Sequence, residues 1–370
     1  MLISDFHFDL PEELIAQHAL ADRAASRMLH VKRSSNKFDD HKFSDFPELL
    51  KANDLLVFNN TKVFPARLFA RRSGERAQPV SQRNPAAREF LQGTAEVLLN
   101  RQVGPWEWEA LVRPGRKIGL GEKLFFYSDE QSRTDHPALV AEVMERGSFG
   151  ERRLRFNPVP DFFAVLDRVG HVPLPPYIRR DDTKADRERY QTIYARKSGS
   201  AAAPTAGLHF TPEILERIRA RGIEIAEITL HVGLGTFQPL RNEQIEQNTL
   251  HKESFELSEG AARQINQSLE RKRRIVAVGT TTVRALEFAA RNSAVPDRLQ
   301  PMRGEADIFI YPGFQFRIVN ALLTNFHLPK SSLLVLVSAF AGRDLVLNAY
   351  RHAVAERYRF FSYGDCMFIE

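Results

Sequence analysis

Between Gly93 and Phe156 the chain carries five short β-patterned runs, AEVLLN, WEWEALV, KLFFY, ALVAEVM and RLRF, parted by Gly and Pro turns, with no helical run among them. The alternating segment from Val63 to Arg71 precedes them and makes a sixth. Short strands at this spacing close on themselves as a small barrel or sandwich. The rest of the chain alternates helix with strand. The expected fold class is therefore α/β with two domains, a discontinuous α/β domain over 1–66 and 157–370 and an inserted small all-β, six-strand barrel-like domain over 67–156. The stretch at about 72–93 is polar and Arg-rich and holds Pro79 and Pro85, which reads as a mobile surface loop. Trp106 and Trp108 share one face of a strand, as core or barrel-cap residues do.

In the α/β part, Thr211 caps a helix whose first position is Pro212 and whose end is marked by Gly222; the strand from Ile223 to Leu230 follows. Asp9–His18 reads as a short helix, Asp54–Phe58 as a buried strand ending in the polar turn Asn59, Asn60, Thr61, and Asp161–Val169 as an amphipathic helix. The three prolines of Val172–Ile178 impose an extended segment. Further on, Ile275–Gly279 is a buried strand feeding the helix Val283–Asn292, Asp307–Tyr311 a strand, Ala321–His327 a strand with a polar end, and Leu333–Phe340 an apolar helix that must be buried.

Composition narrows the class. Hydrophobic residues at 43% and charged ones at 26% describe a globular chain, and no apolar run reaches the length of a bilayer span. The N-terminus MLISDFHFDLPEEL has neither a basic leader nor a small-residue cleavage site, and Cys366 stands alone, so a cytoplasmic protein without disulfides or a Cys-based zinc cage is expected. A net charge of +6 suits a polyanionic partner such as RNA but is common among enzymes without one.

The candidate chemistry lies in loops. His209, His231, His251 and His327 stand beside glycines or strand ends, where an imidazole can serve as acid or base in a polar cleft at the end of a sheet. Gly279 followed by Thr280, Thr281 and Thr282 at a helix start makes either an anion site or a plain cap, with Arg284 in the first turn able to pair with a carboxylate or phosphate. Absence of HExxH and of a close His pair argues against a metal; absence of a Walker loop, GxGxxG and GxSxG argues against ATP, dinucleotides and a serine nucleophile.

The motifs PTAGLHF (Pro204 to Phe210), HVGLGTF (His231 to Phe237), VGTTTVRALE (Val278 to Glu287), FIYPGFQF (Phe309 to Phe316), TNFHLP (Thr324 to Pro329), LVSAFAG (Leu336 to Gly342) and YRFFSYGDCMFI (Tyr358 to Ile369) resemble the S-adenosylmethionine:tRNA ribosyltransferase-isomerase family of the queuosine pathway. DLPEELIAQ, DLLVFNNTKVFPARL and PLPPYI resemble the same family, so the likeness runs through the chain in order. It departs at Asn248, where the family often has histidine, and at Ala306, commonly threonine.

The resemblance implies S-adenosylmethionine as cosubstrate and ribosyl donor, no metal, and as partner a tRNA with a GUN-type anticodon carrying 7-aminomethyl-7-deazaguanine at the wobble position. The ribosyl group is transferred and rearranged to give epoxyqueuosine, with adenine and methionine released. The sulfonium acidifies the adjacent ribose carbon, so a modest base and well-placed charges suffice. On this reading His209 or His231 is the base. Thr281, Thr282 and Arg284 hold the methionine carboxylate or an RNA phosphate, Asp307, Asn325 and His327 contact the adenine or the incoming base, and Tyr363 and Asp365 complete the rim. A monomer is expected. A tRNA-binding module without catalysis, and a small-molecule nucleotide or sugar transferase on the same scaffold, stay open.

Overall fold

The computed structural model describes residues 1–73, 93–128, 136–233, 240, 242–296 and 298–370. Most of the expected loop at 72–93, and Leu234–Phe237 of HVGLGTF, lie outside the described residues.

Seventeen strands are formed among the described residues. They are β1 Arg27–Lys32, β2 Lys37–Lys42, β3 Leu55–Asn59, β4 Thr61–Val63, β5 Arg67–Arg72, β6 Thr94–Gly104, β7 Glu107–Arg113, β8 Lys123–Phe126, β9 Leu139–Arg146, β10 Glu151–Phe156, β11 Lys197–Ser200, β12 Glu224–Leu230, β13 Glu253–Leu257, β14 Ile275–Val278, β15 Met302–Ala306, β16 Ala321–Asn325 and β17 Cys366–Ile369. Nine build one mixed sheet in the order β15-β13-β12-β3-β14-β16-β17-β1-β2. At its centre β12, β3, β14 and β16 run parallel. Every residue of β3, β14 and β16 is buried, as continuous apolar strands covered on both faces must be.

The six runs singled out in the sequence form a closed antiparallel barrel, β10-β7-β6-β5-β8-β9. Closure removes the exposed edges that short strands would otherwise present. Trp108 is 2% exposed and stacks on Phe162 at 5.7 Å, in a core that also takes Leu166 and Val169 from the helix Phe162–Val169. That helix, capped by Asp161, thus packs into the barrel rather than onto the sheet.

The helix after Thr211 forms as expected, Pro212–Ala220, with the Thr211 hydroxyl accepting from the Ile214 amide at 3.3 Å and Gly222 at φ +72°. Among the described residues no single helix is long and apolar enough to cross a membrane; Ser332–Ala341 and Arg343–Ala355 are bent 117° apart, and their apolar residues are mostly buried in the protein.

Three expectations change. Asp9–His18 yields only the single turn Glu12–Leu14, because the Leu14 carbonyl and the Ala16 amide bond the backbone of Phe360 instead of continuing a helix. The segment Asp307–Tyr311 is not a strand: the ladder uses Met302–Ala306, while Ile310 supplies its apolar side chain to the core from a loop. The helix expected from Val283 starts earlier and is Thr280–Arg291.

Candidate active site

The carboxyl ends of β12, β14 and β16 face one cleft of about 390 Å³. In open α/β sheets ligands bind at that edge, where successive loops splay apart. Gly279, Thr280 and Thr281 reach the cleft from β14, and Thr324 to Pro329 from β16. Gly279 has φ +93°, which an L side chain rarely tolerates, so the chain turns from strand to helix in one residue and the helix start opens into the cleft. Thr282 takes no part in this opening: its hydroxyl donates to the Val278 carbonyl at 2.8 Å.

Asn59, from the polar turn noted in the sequence, holds this edge together. Its amide donates to the Leu230 carbonyl at 2.9 Å and its oxygen accepts the Leu230 and Thr61 amides at 3.0 and 3.2 Å. The same Nδ2 lies 3.5 Å from Thr281 Oγ1. An apolar wall stands opposite, where Tyr177 packs on Phe361 with ring centroids 4.6 Å apart. The proline-stiffened segment Val172–Ile178 delivers that tyrosine. Glu243 and Lys330 bring opposite charges to the lining. Asn248, where the family pattern often has histidine, donates to the carbonyls of Asn242 and Gln244 at 2.8 and 2.9 Å and shapes the loop that carries Glu243.

Of the residues expected at the site, Thr281, Asn325 and His327 line the cleft. His327 Nε2 lies 2.8 Å from Thr324 Oγ1, and its backbone amide donates to the Tyr350 hydroxyl at 2.9 Å. Burial pushes its imidazole down to about 3, so the ring is neutral at pH 7. Asn325 donates to the Phe361 carbonyl at 3.0 Å, and its buried side chain also acts on His209.

The others sit elsewhere. His209, at 3% exposed, lies behind the cleft wall with Nδ1 2.9 Å from Ser26 Oγ. Burial pushes it down to about 4 against the opposing effect of the Asn325 side chain. His231 turns its ring away, to Thr61 Oγ1 at 2.8 Å and against Gly199, where an added Cβ would meet the ring at 2.8 Å. Neither of the two histidines expected as the base is therefore in the lining. Arg284 is consumed in a buried ion pair with Glu253, which also accepts the Gly233 amide at 3.3 Å. Asp307 is exposed beyond β15. The Tyr363 hydroxyl donates to Asp186 at 2.8 Å, and Asp365 accepts the amides of Arg27 and Arg359 at 2.9 and 2.8 Å, so both fix the C-terminal turn instead of a rim. His251 lines a separate hollow on the barrel face.

The spacing argument against a metal overlooked one juxtaposition. The β1–β2 register sets His30 opposite Asp39, and with His41 their ligand atoms fall within 4.8 Å of one another; Asp39 already pairs with Lys32 at 2.7 Å.

The family model described as queuosine biosynthesis protein matches residues 3–369. The chain belongs to that family. An S-adenosylmethionine:tRNA ribosyltransferase-isomerase of Solibacter usitatus is 56% identical over 371 residues, covering all of both chains, and a protein of the same description from Natranaerobius thermophilus is 47% identical over the same span. The crystal structure of an S-adenosylmethionine tRNA ribosyltransferase from Thermotoga maritima is 36% identical, covers 99% of this chain and 100% of its own, and superposes with a TM-score of 0.54. Its fold, a barrel beside a large mixed sheet, is the fold of this queuosine-family chain.

Proposed function

We infer that this protein transfers the ribosyl group of S-adenosylmethionine to tRNA and isomerises it, as the full-length relatives are described to do. The acceptor in this reading is the aminomethyl arm of 7-aminomethyl-7-deazaguanine at the wobble position of a GUN-type anticodon, and the products are epoxyqueuosine-tRNA, adenine and methionine. The observation that carries it is the match over residues 3–369 to a family whose motifs line one cleft here, Thr281 from VGTTTVRALE and Asn325 with His327 from TNFHLP.

The lining suits the donor. A volume of about 390 Å³ lies in the range of small-molecule sites. The Tyr177–Phe361 wall offers an aromatic face to the adenine, and the helix start at Thr280 and Thr281 favours the methionine carboxylate. Asn325 turns its side chain to the Phe361 carbonyl and to His209, fixing this edge of the lining. We assign proton handling near the ribose to His327, the imidazole in the lining, with Thr324 holding its Nε2. The neutral ring, a weak base because burial lowers it, takes the ribose proton and as imidazolium returns it to the departing adenine. His209 then acts through Asn325 rather than on substrate. This reading treats 1–66 and 157–370 as the catalytic part, the barrel over 67–156 as a separate unit, and the protein as a monomer that uses no metal.

The test mixes the protein, S-adenosylmethionine and tRNA bearing the deazaguanine precursor, and assays adenine and the modified nucleoside. Adenine release that depends on the tRNA, with matching epoxyqueuosine, is expected. Release without RNA points to a small-molecule transferase, and binding of tRNA with the donor left intact points to a module without catalysis.

A further inference from the structure

We propose that a notch behind the cleft wall seats one backbone phosphate of the RNA substrate. The inference rests on the tRNA reading above and adds a docking position to it. The notch is lined by Arg23, Ser26, Arg189, His209, Ser362 and Gly364, among others, and its free volume of about 20 Å³ takes one oxygen-sized group. Ser362 also lines the substrate cleft, so the two hollows share a wall.

Charge makes the notch unusual. Arg23 donates to the carbonyls of Gln191, Leu208 and Glu188 at 2.9, 3.1 and 2.8 Å, Arg189 to that of Leu20, and the neighbouring Arg359 to that of His18. None of the three has a carboxylate within ion-pair distance among the described residues, although Glu188 and Asp365 act on Arg23 and Arg359 from farther away. Arg359 Nη1 is buried without a partner. Burial lowers the Arg23 guanidinium, and Arg189 lowers it further, which is the mark of like charges held together. Arg72 and Arg284, by comparison, meet the carboxylates of Glu122 and Glu253.

An anion is the ligand that relieves the like charges of Arg23 and Arg189, and Arg forks suit phosphate oxygens. The size of the notch excludes a whole amino-acid head group, whereas a phosphodiester enters by one oxygen while its ribose stays outside. A nucleotide's phosphate is also tied covalently to its base. Seating it beside Ser362 therefore orients the neighbouring base toward the cleft.

The experiment measures binding of precursor-bearing tRNA to the full-length protein across a salt series, in wild type, Arg189→Gln, Arg189→Lys and Arg359→Gln, with S-adenosylmethionine binding as the control. Arg189→Gln is expected to weaken tRNA binding several-fold and to reduce the slope of log K against log salt by about 0.7, one single-strand phosphate contact. Arg189→Lys should keep the slope, and donor binding should not change in any variant. Unaltered affinity and slope in both Gln variants overturn the proposal while leaving the transferase reading intact. A wild-type protein that fails to bind tRNA removes that reading as well. Titration with inorganic phosphate is the last arm: Arg189-dependent phosphate binding joined to Arg189-independent tRNA binding makes this a free-anion site and also overturns the proposal.

Discussion

The barrel and the carboxyl edge of the sheet handle polar groups in opposite ways. On the barrel face lies a hollow of about 540 Å³, where Arg101 is answered by Glu109 and Glu305 and Arg153 by Glu107 and Glu145, while Arg152 donates, among the described residues, only to carbonyls. Inside, Arg72 and Glu122 pair at 2.8 Å with 1% and 0% of their side chains exposed. At the sheet edge polar side chains are answered by neutral hydrogen bonds instead: Asn325 by the Phe361 carbonyl and the His209 side chain, His327 by Thr324.

That contrast can be broken at several points. The largest effect is expected at the cleft: His327→Ala should lower tRNA-dependent adenine release by about 10² to 10⁴-fold, the usual worth of a general acid or base, while donor binding persists. Unchanged turnover would take the imidazole out of the chemistry. In the barrel the loss should be of stability instead. Glu122→Ala leaves Arg72 charged and buried, and chemical denaturation should show a loss of about 3–5 kcal/mol, with activity per folded molecule retained.

The pH dependence sharpens the comparison because His209 and His327, both lowered by burial, lie near the sheet edge. His209 at about 4 and His327 at about 3 both titrate below the unfolded value of 6.5. The unfolded chain therefore takes up protons first as pH falls. Their contribution is complete above about pH 6.5 and is lost on descent toward pH 4 and 3, by about 1.4 kcal/mol per pH unit for each group. His209→Gln should flatten that acid limb by about one proton in a melting series; an unaltered limb would mean that the ring is not buried neutral. The smallest effect belongs to neither region: Thr211→Ala removes one helix cap, and its unfolding midpoint should reflect about 1 kcal/mol.

Much of this arrangement was legible in the residues. Thr211, Pro212 and Gly222 mark a helix at both ends, and six alternating runs without a helical one leave an antiparallel barrel as a natural closure. Edge strands were harder. MRGEA in β15 has three exposed residues in a row, so it lacks the apolar alternation by which strands are read, whereas DIFIY looks like a strand because Ile310 packs into the core from a loop. At the site, position along a strand tells which end of the sheet a residue occupies but not which way its side chain points. That is why Asn325 and His327 reach the cleft while His231, also just past a strand, turns to Thr61. Arg284 was read as free for a ligand because its partner Glu253 is distant in sequence and sits on an unrecognised strand. Glu243 and Lys330 carry no motif, and only the folded chain brings them to the cleft.

The most direct test is a crystal structure of the protein with S-adenosylmethionine bound. The donor should lie at the sheet edge, its adenine against Tyr177 and Phe361 and its ribose within reach of Asn325 and His327. A donor seated in the barrel hollow beside Arg101 and His251, with the cleft unchanged, would contradict the account.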